Sequence, residues 1–339
     1  MKPSVMLAIA RAWHWMKHVL FNPFDLGKWC VLGFAAFLVM LGRGGGGIGT
    51  GYNLNFPSGR HVQPSDIRDV VMEAKAFLLE HLSVIVPLVS IGIVIALAIG
   101  IVLVWVSSRG YFMFLDGVVR NRGAVAEPWR MYRNHGNSMF LARLVVALLC
   151  LLVSVGIIAA CVALAWPDIV ALELSSHGRH ALWIGIPSLT VFGFLSWLIK
   201  AVLYDLLVPI MYKRDLTVVP ALAVLFKELV PGRLGSFVLF YLMMIVVNVA
   251  ISVAVVLFGC ITCCCGFILL AIPYVGSVIM LPLLVYDRGY SLFFLEQCGP
   301  EWQLVGLAQQ QDQLSAPAVR PDTLANGQHV VDPDSSLQL

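Results

Sequence analysis

The densest group of side chains that could do chemistry in this 339-residue chain is Cys260, Cys263, Cys264 and Cys265. Thiolates this close could bind a soft metal or form a disulfide, but zinc sites draw ligands from two separated pairs held in fixed geometry. Small residues packing a tight hairpin account for the same run. His14 and His18 stand one helical turn apart, and His177 and His180 are close together. Neither pair has a carboxylate or thiolate partner nearby in sequence, so a polar helix face and a solvated loop explain them. The glycines of residues 43–51 lack the Gly-Lys-Ser/Thr ending, the preceding strand and the following helix of a phosphate loop. No His-Glu-x-x-His, nucleophile elbow or kinase signature is present. These patterns point to no catalytic residue, metal or cofactor, and the expectation is a protein without enzymatic activity.

Ionisable residues inside apolar runs are a different matter, because by default they mark substrate or proton pathways. Lys200, Asp205 and Arg143 are of this kind. At about 1.5 Å per residue, Lys200 and Asp205 lie about 27 and 34 Å along a helix starting near Leu182. That places both near its inner end, where long side chains snorkel to water. Their five-residue spacing puts them on different faces of an α-helix. Asn248 falls nearer mid-span. Pro87, Pro187, Pro209, Pro273 and Pro282 each free the carbonyl four residues earlier, and such broken helices can line a transport site. Asn248, Pro209, Pro273 and Pro282 form the candidate transport set.

The elements that must position these residues are set by composition. With 60% hydrophobic and 12% charged residues and a mean hydropathy of +0.88, the chain is far more apolar than a soluble domain. The net charge of +3 is spread along the chain and gives no electrostatic support for nucleic-acid binding. Eight cysteines without framework spacing do not describe a secreted disulfide scaffold. The apolar run after Lys2 is short for a signal peptide, so the N-terminus is expected to be retained.

The expected fold is all-α: a polytopic membrane protein with six transmembrane helices arranged as three hairpins. The spans fall at about 27–46, 83–106, 139–166, 182–212, 236–258 and 261–286, within a single membrane domain over 1–302. Residues 303–339, rich in Gln and poor in aromatics, are expected to be a disordered cytoplasmic tail. The first span is the shortest and borrows residues on either side to reach the roughly 20 needed to cross. A Gly- and Asn-rich loop over 44–59 and an amphipathic helix over 64–82 follow it.

Cytoplasmic in-plane helices precede the hairpins. Over 4–21, Ile9, Trp13, Met16 and Leu20 share a face opposite Arg11, His14, Lys17 and His18, and Asn22-Pro23 ends the helix. Val218, Leu222, Leu225 and Leu229 repeat the stripe before Pro231-Gly232, and Val125, Trp129 and Tyr132 form a looser copy before Gly136-Asn137. In this topology Arg43, Arg60, Arg68, Lys75 and Arg179 lie outside and the other 17 of the 22 Lys and Arg lie inside. The positive-inside rule therefore places both termini in the cytoplasm of a bacterial inner membrane.

One pattern is written twice. Arg109-Gly110-Tyr111 and Arg288-Gly289-Tyr290 each open an aromatic-aliphatic patch ending in an acid. This describes a chain leaving a bilayer, with aromatics at the headgroup level and Arg facing the cytoplasm. Arg109, Tyr111, Arg120, Arg122, Arg130, Arg133, Arg288 and Tyr290 are the expected contacts to anionic lipid or to a protein partner.

Ser108 to Asp116, Pro128-Trp129, Gly136-Asn137-Ser138 and the Tyr290 to Trp302 stretch resemble uncharacterised multi-pass bacterial membrane proteins. More distantly, the pattern is similar to the membrane domain fused to some glycerophosphodiester phosphodiesterases. In those enzymes the chemistry belongs to a separate soluble barrel, so the resemblance implies a membrane module and carries over no catalytic residue. The expectation is a structural or accessory membrane protein binding lipid, a protein partner or a second copy of itself. A small-molecule or ion transporter is the alternative.

Overall fold

The structure, a computed structural model, describes residues 3–42, 81–171, 176–262 and 265–305, and every regular element among them is helical. In order these are α1 (Val5–Phe21), α2 (Leu26–Leu41), α3 (Leu82–Arg120), α4 (Ala126–Met131), α5 (Arg133–Ala171) and α6 (Ser176–Val202). Then come α7 (Val208–Arg214), α8 (Val218–Val224), α9 (Leu234–Ile261), α10 (Cys265–Ala271), α11 (Pro273–Ile279) and α12 (Leu281–Glu296). A π-helical turn, Leu203–Leu207, joins α6 to α7, and another, Leu225–Leu229, prolongs α8. The 3-10 turn Pro300–Trp302 is the last described helical element.

Four of these rods are long and apolar enough to cross a membrane: α3, α5, the continuous α6–α7 rod and α9. The α11–α12 pair, bent by 61°, passes the same test as a unit. At about 1.5 Å per residue α3 is about 58 Å long and α9 about 42 Å, against about 30 Å of hydrocarbon. The first half of α3 carries Val84, Leu88, Ile91, Ile95 and Ile99 on its outside, each more than half exposed. A helix this apolar with no protein around it needs lipid as its solvent. By contrast α2, with 16 residues, is about 24 Å long.

The packed core gathers one end of every long helix. It takes the C-terminal third of α3, the start of α5, the α6–α7 junction and the start of α9, with α12 running through it and α1, α2 and α8 packed around it. The four rods therefore alternate in direction, each leaving or entering the same base. The basic residues Arg109, Arg120, Arg122, Arg143, Arg214 and Arg288 sit in this base.

Several expectations are corrected. Arg109-Gly110-Tyr111 does not end a helix, because α3 continues unbroken to Arg120 and these residues belong to its buried stretch. The looser copy does not bend at Gly136-Asn137. The break falls at Tyr132, and Gly136 lies inside α5 against Arg109. The stretch 261–286 is not one rod, since Pro273 and Pro282 each start a new helix at a position where a missing N–H costs nothing.

The face of α1 is also rotated. Its buried residues are Val5, Ala8, Ala12, Met16, Val19 and Leu20, so Met16 and Leu20 of the expected stripe are buried, the small Ala8 and Ala12 join them where α1 lies on α12, and Trp13 is half exposed. The expected loop at 44–59, most of the helix at 64–82, Cys263, Cys264 and residues 306–339 of the tail lie outside the described residues.

Candidate functional site

The motifs that stood apart in sequence converge on Arg109. Its guanidinium lies 4.4 Å from the Trp105 ring centroid and 5.0 Å from that of Trp129, and it donates to Asn137 Oδ1 at 3.2 Å. Gly136 makes room, since a Cβ there would come 2.7 Å from Arg109 Cγ. Next in the chain, Ser138 Oγ accepts from the Val218 N–H at 3.1 Å and so caps the start of α8.

About two turns further along α3, Asp116 is fully buried and its carboxylate takes donors from three directions. Tyr212 Oη donates at 3.0 Å and Tyr132 Oη at 3.2 Å to Oδ1, with Arg120 Nε also 3.1 Å away. Arg122 reaches Oδ2 from Nη2 at 3.1 Å, and through its other face holds Glu127 at 2.9 Å. A buried charge is tolerated when its lone pairs are this well met. The Arg122 hydrogen bond holds the Glu127 carboxyl below its usual range. Burial, with Tyr212 and Asp116 beside it, raises the Tyr132 phenol, which stays protonated as a donor.

The second copy of the motif is deeper still. Arg288 has no exposed surface. Its Nη1 donates to the Tyr204 carbonyl at 2.9 Å and its guanidinium lies 4.0 Å from the Tyr204 ring centroid. Tyr290 Oη donates to the Phe240 carbonyl at 3.0 Å, and its ring stacks on Phe240. Of the eight residues expected at the lipid surface, Arg109, Tyr111, Arg288 and Tyr290 are therefore buried, and Arg120 and Arg122 are engaged by Asp116. Arg130 and Arg133 are exposed. A basic, aromatic-flanked sequence can be an interior clasp as well as a water boundary, and its charge pattern alone does not distinguish them.

Above this base the spans enclose a cavity of about 600 Å³. Charged groups gather toward its floor: Arg143 from α5, Lys200 from α6, Asp205 from the π turn and Asp287 from α12, beside the Tyr111 and Tyr204 rings. The wall is apolar, with Val104, Val146, Trp197 and Val249, and carries Asn248 and Ser252 from α9. Arg143 is fixed by Ser107 Oγ and Ser108 Oγ, each at 3.1 Å, by the Gly42 carbonyl at 2.6 Å and by the face of Tyr111. Lys200, in contrast, is exposed to the cavity.

Lys200 and Asp205 thus line one cavity, contrary to their expected separation. The reason is the π turn at Leu203–Leu207, which widens the helix by a residue and brings positions five apart toward one side. Pro209 explains the turn, since it has no N–H for the Asp205 carbonyl. The other π turn, Leu225–Leu229, likewise ends two residues before a proline, Pro231.

The expected transport set is not brought together. Asn248 lines the cavity, Pro209 is buried in the core, Pro282 lines a different groove and Pro273 lies at the exposed start of α11. Within the cavity wall, Asn248 Nδ2 is used by its own helix, donating to the Met244 carbonyl at 2.8 Å. Asp205 and Asp287 are the cavity residues that span-based reasoning missed or discounted. Among the described residues no three His, Cys, Asp or Glu converge as a metal site.

No curated protein and no solved structure matches the chain. The similarity to the membrane domain of glycerophosphodiester phosphodiesterases is not supported by any of the comparisons. A sequence profile does match residues 4–281, which takes in α1 to α11, the Asp116 clasp and most of the cavity lining, so the chain belongs to the family of unknown function DUF7544.

Proposed function

We propose that this chain is a non-enzymatic accessory protein of a bacterial inner membrane that holds a lipid or other amphiphile between its spans. The observation that carries this reading is the cavity itself, whose charged floor of Arg143, Lys200, Asp205 and Asp287 meets an apolar wall continuous with helices that have only lipid to face. An amphiphile matches both halves, its polar group toward the floor and its chain along α9. The six crossings of this reading are α2, then α3, α5, α6–α7, α9 and the bent α11–α12 pair. The Lys and Arg excess at the base supports a cytoplasmic base and cytoplasmic termini.

The test is the lipid that co-purifies with the protein. Asn248→Trp fills the wall and Lys200→Ala removes the exposed cation of the floor. Both are expected to reduce bound lipid per protein, as read by mass spectrometry of extracted material, with the helical circular dichroism signal unchanged. Wild-type lipid content in both variants sinks the reading.

A transport role is favoured by one observation: Asn248 is 14 residues from the start of α9 and 13 from its end, so the cavity reaches the middle of that helix. In otherwise cysteine-free protein, Asn248→Cys distinguishes the two. Labelling by a membrane-impermeant maleimide means a water path and transport. Labelling by a lipid-soluble reagent alone means an amphiphile site.

A further inference from the structure

A second concavity, separate from the cavity between the spans, lies where α1 crosses α9 and α12. It encloses about 900 Å³. Its floor and walls are apolar: Met16 of α1, Ile251 of α9, and Pro282 and Tyr286 of α12. Its rim belongs to α1 and carries His14 and Lys17, both exposed. Lys17 Nζ stands 5.0 Å from the Trp13 ring centroid, and Trp13 meets Tyr286 edge to face at 6.4 Å across the groove.

Neither His14 nor Lys17 forms an ion pair among the described residues, whereas Arg11, one turn before His14 on α1, is paired with Glu296 at 2.9 Å. On α9 the groove is lined by Val247 and Ile251, and the same helix exposes Val246 and Val253 beside them, a surface made for hydrocarbon. A Trp and a Tyr at the mouth, a lysine and a histidine at the rim and an apolar slot descending along a span are the chemistry of the membrane interface.

We infer that this groove binds a phospholipid with a net negative headgroup, its phosphate at Lys17 and His14 and one acyl chain between α9 and α12. The anionic charge is required because the fixed cation of the rim, Lys17, has no carboxylate in ion-pair contact among the described residues. The lipid source is required because the slot beneath is apolar and open toward the exposed flank of α9. The proline at Pro282 creates the slot, since α12 starts afresh at Leu281 and leaves the line of α11 by 61°. The site rests on the membrane placement of α9 but not on occupancy of the other cavity, and the variants that test it are different.

The experiment uses the full chain, delipidated in detergent and titrated with phosphatidylglycerol or phosphatidylcholine, with binding read by native mass spectrometry. Phosphatidylglycerol is expected to bind more tightly. Lys17→Gln weakens it about fivefold, the loss of one surface cation's attraction, and leaves phosphatidylcholine unchanged. Ile251→Trp, which occupies the slot, weakens both lipids, and Arg130→Gln, an exposed cation outside the groove, weakens neither.

Where Ile251→Trp does not fold, phosphatidylglycerol with a photoreactive acyl chain reports the same contact in the wild type by crosslinking to peptides containing Ile251 or Tyr286. Equal affinity for the two lipids, a Lys17→Gln variant that binds like wild type, or crosslinks confined to other helices overturns the inference. So does displacement of phosphatidylglycerol by glycerol phosphate, which would make this a free-phosphate site. Restored or increased binding on removal of residues 306–339 would make the tail the natural occupant and would overturn it as well.

Discussion

At the scale of single residues, the base of the molecule is held by charges that have been given partners inside it. Asp116 has no exposed surface and receives two tyrosines and two arginines from α3, the loop that follows it, the α4–α5 junction and α7. Asp116→Ala leaves those donors facing a void, and is expected to lower stability by about 3 kcal/mol. Thermal unfolding in detergent micelles measures it. Tyr212→Phe, which removes one of several donors, is expected to cost about 1 kcal/mol.

Glu127 supplies a pH dependence on the same cluster. Its folded-state pKa is depressed by the Arg122 hydrogen bond, so its contribution is present above its ordinary value of 4.5 and is lost as pH falls below that. Glu127→Gln should therefore flatten part of the decline in melting temperature on acidification, and leave the rest of the profile intact. A variant profile that superimposes on wild type at every pH would remove Glu127 from the clasp.

At the scale of elements, the two copies of Arg-Gly-Tyr each receive a neighbouring helix on their glycine, but at different closeness. A Cβ on Gly110 would lie 2.8 Å from Leu38 Cβ and 3.1 Å from the Leu38 carbonyl carbon, so α2 would have to move. On Gly289 the nearest atoms, Ala12 Cα and Cβ, are 3.5 Å away, an ordinary contact. Gly110→Ala is expected to destabilise by about 1–3 kcal/mol through overpacking. Gly289→Ala is expected to be neutral or stabilising by up to about 1 kcal/mol, through helix propensity. Equal melting temperatures for the two variants would contradict the α2–α3 crossing.

The π turns give the second prediction at this scale. Pro209→Ala supplies the N–H that the Asp205 carbonyl lacks, so the turn is expected to tighten to an α-helix and swing Asp205 away from Lys200. Bound lipid should fall as it does for Lys200→Ala, and amide exchange at Leu203–Leu207 should slow. The sequence flagged the freed Asp205 carbonyl through Pro209. It did not show that the helix answers by widening, because that choice depends on the core packed around Leu206 and Leu207, both buried.

At the scale of the whole molecule, one end is a packed base and the other a set of apolar rods with little protein between them. Since α3 and α9 run in opposite directions from that base, Asn121 after α3 and Cys260 near the end of α9 should face opposite sides of the bilayer. In a chain retaining a single cysteine at one or the other position, an impermeant thiol reagent applied to sealed vesicles is expected to label them from opposite sides. Labelling from the same side would break the alternating arrangement of the rods.

What the amino-acid sequence determined by itself was the solvent. Long runs without charge can satisfy their backbone in hydrocarbon only as helices, so the spans at 83–106, 139–166, 182–212 and 236–258 were legible from composition, as were the helix end at Phe21 and the stripe from Val218 to Leu229. Tertiary structure alone decided which side of each polar motif faces protein. Arg109 and Arg288 read as boundary residues because an arginine beside aromatics has the same local pattern at a headgroup and in a Trp or Tyr cage. Tyr204, Trp105 and Trp129 become their partners through contacts far apart in the chain, and only the folded arrangement holds that information. The cavity has the same origin, since Lys200, Asp205, Asp287 and Arg143 come from four elements whose convergence no spacing along one helix can encode.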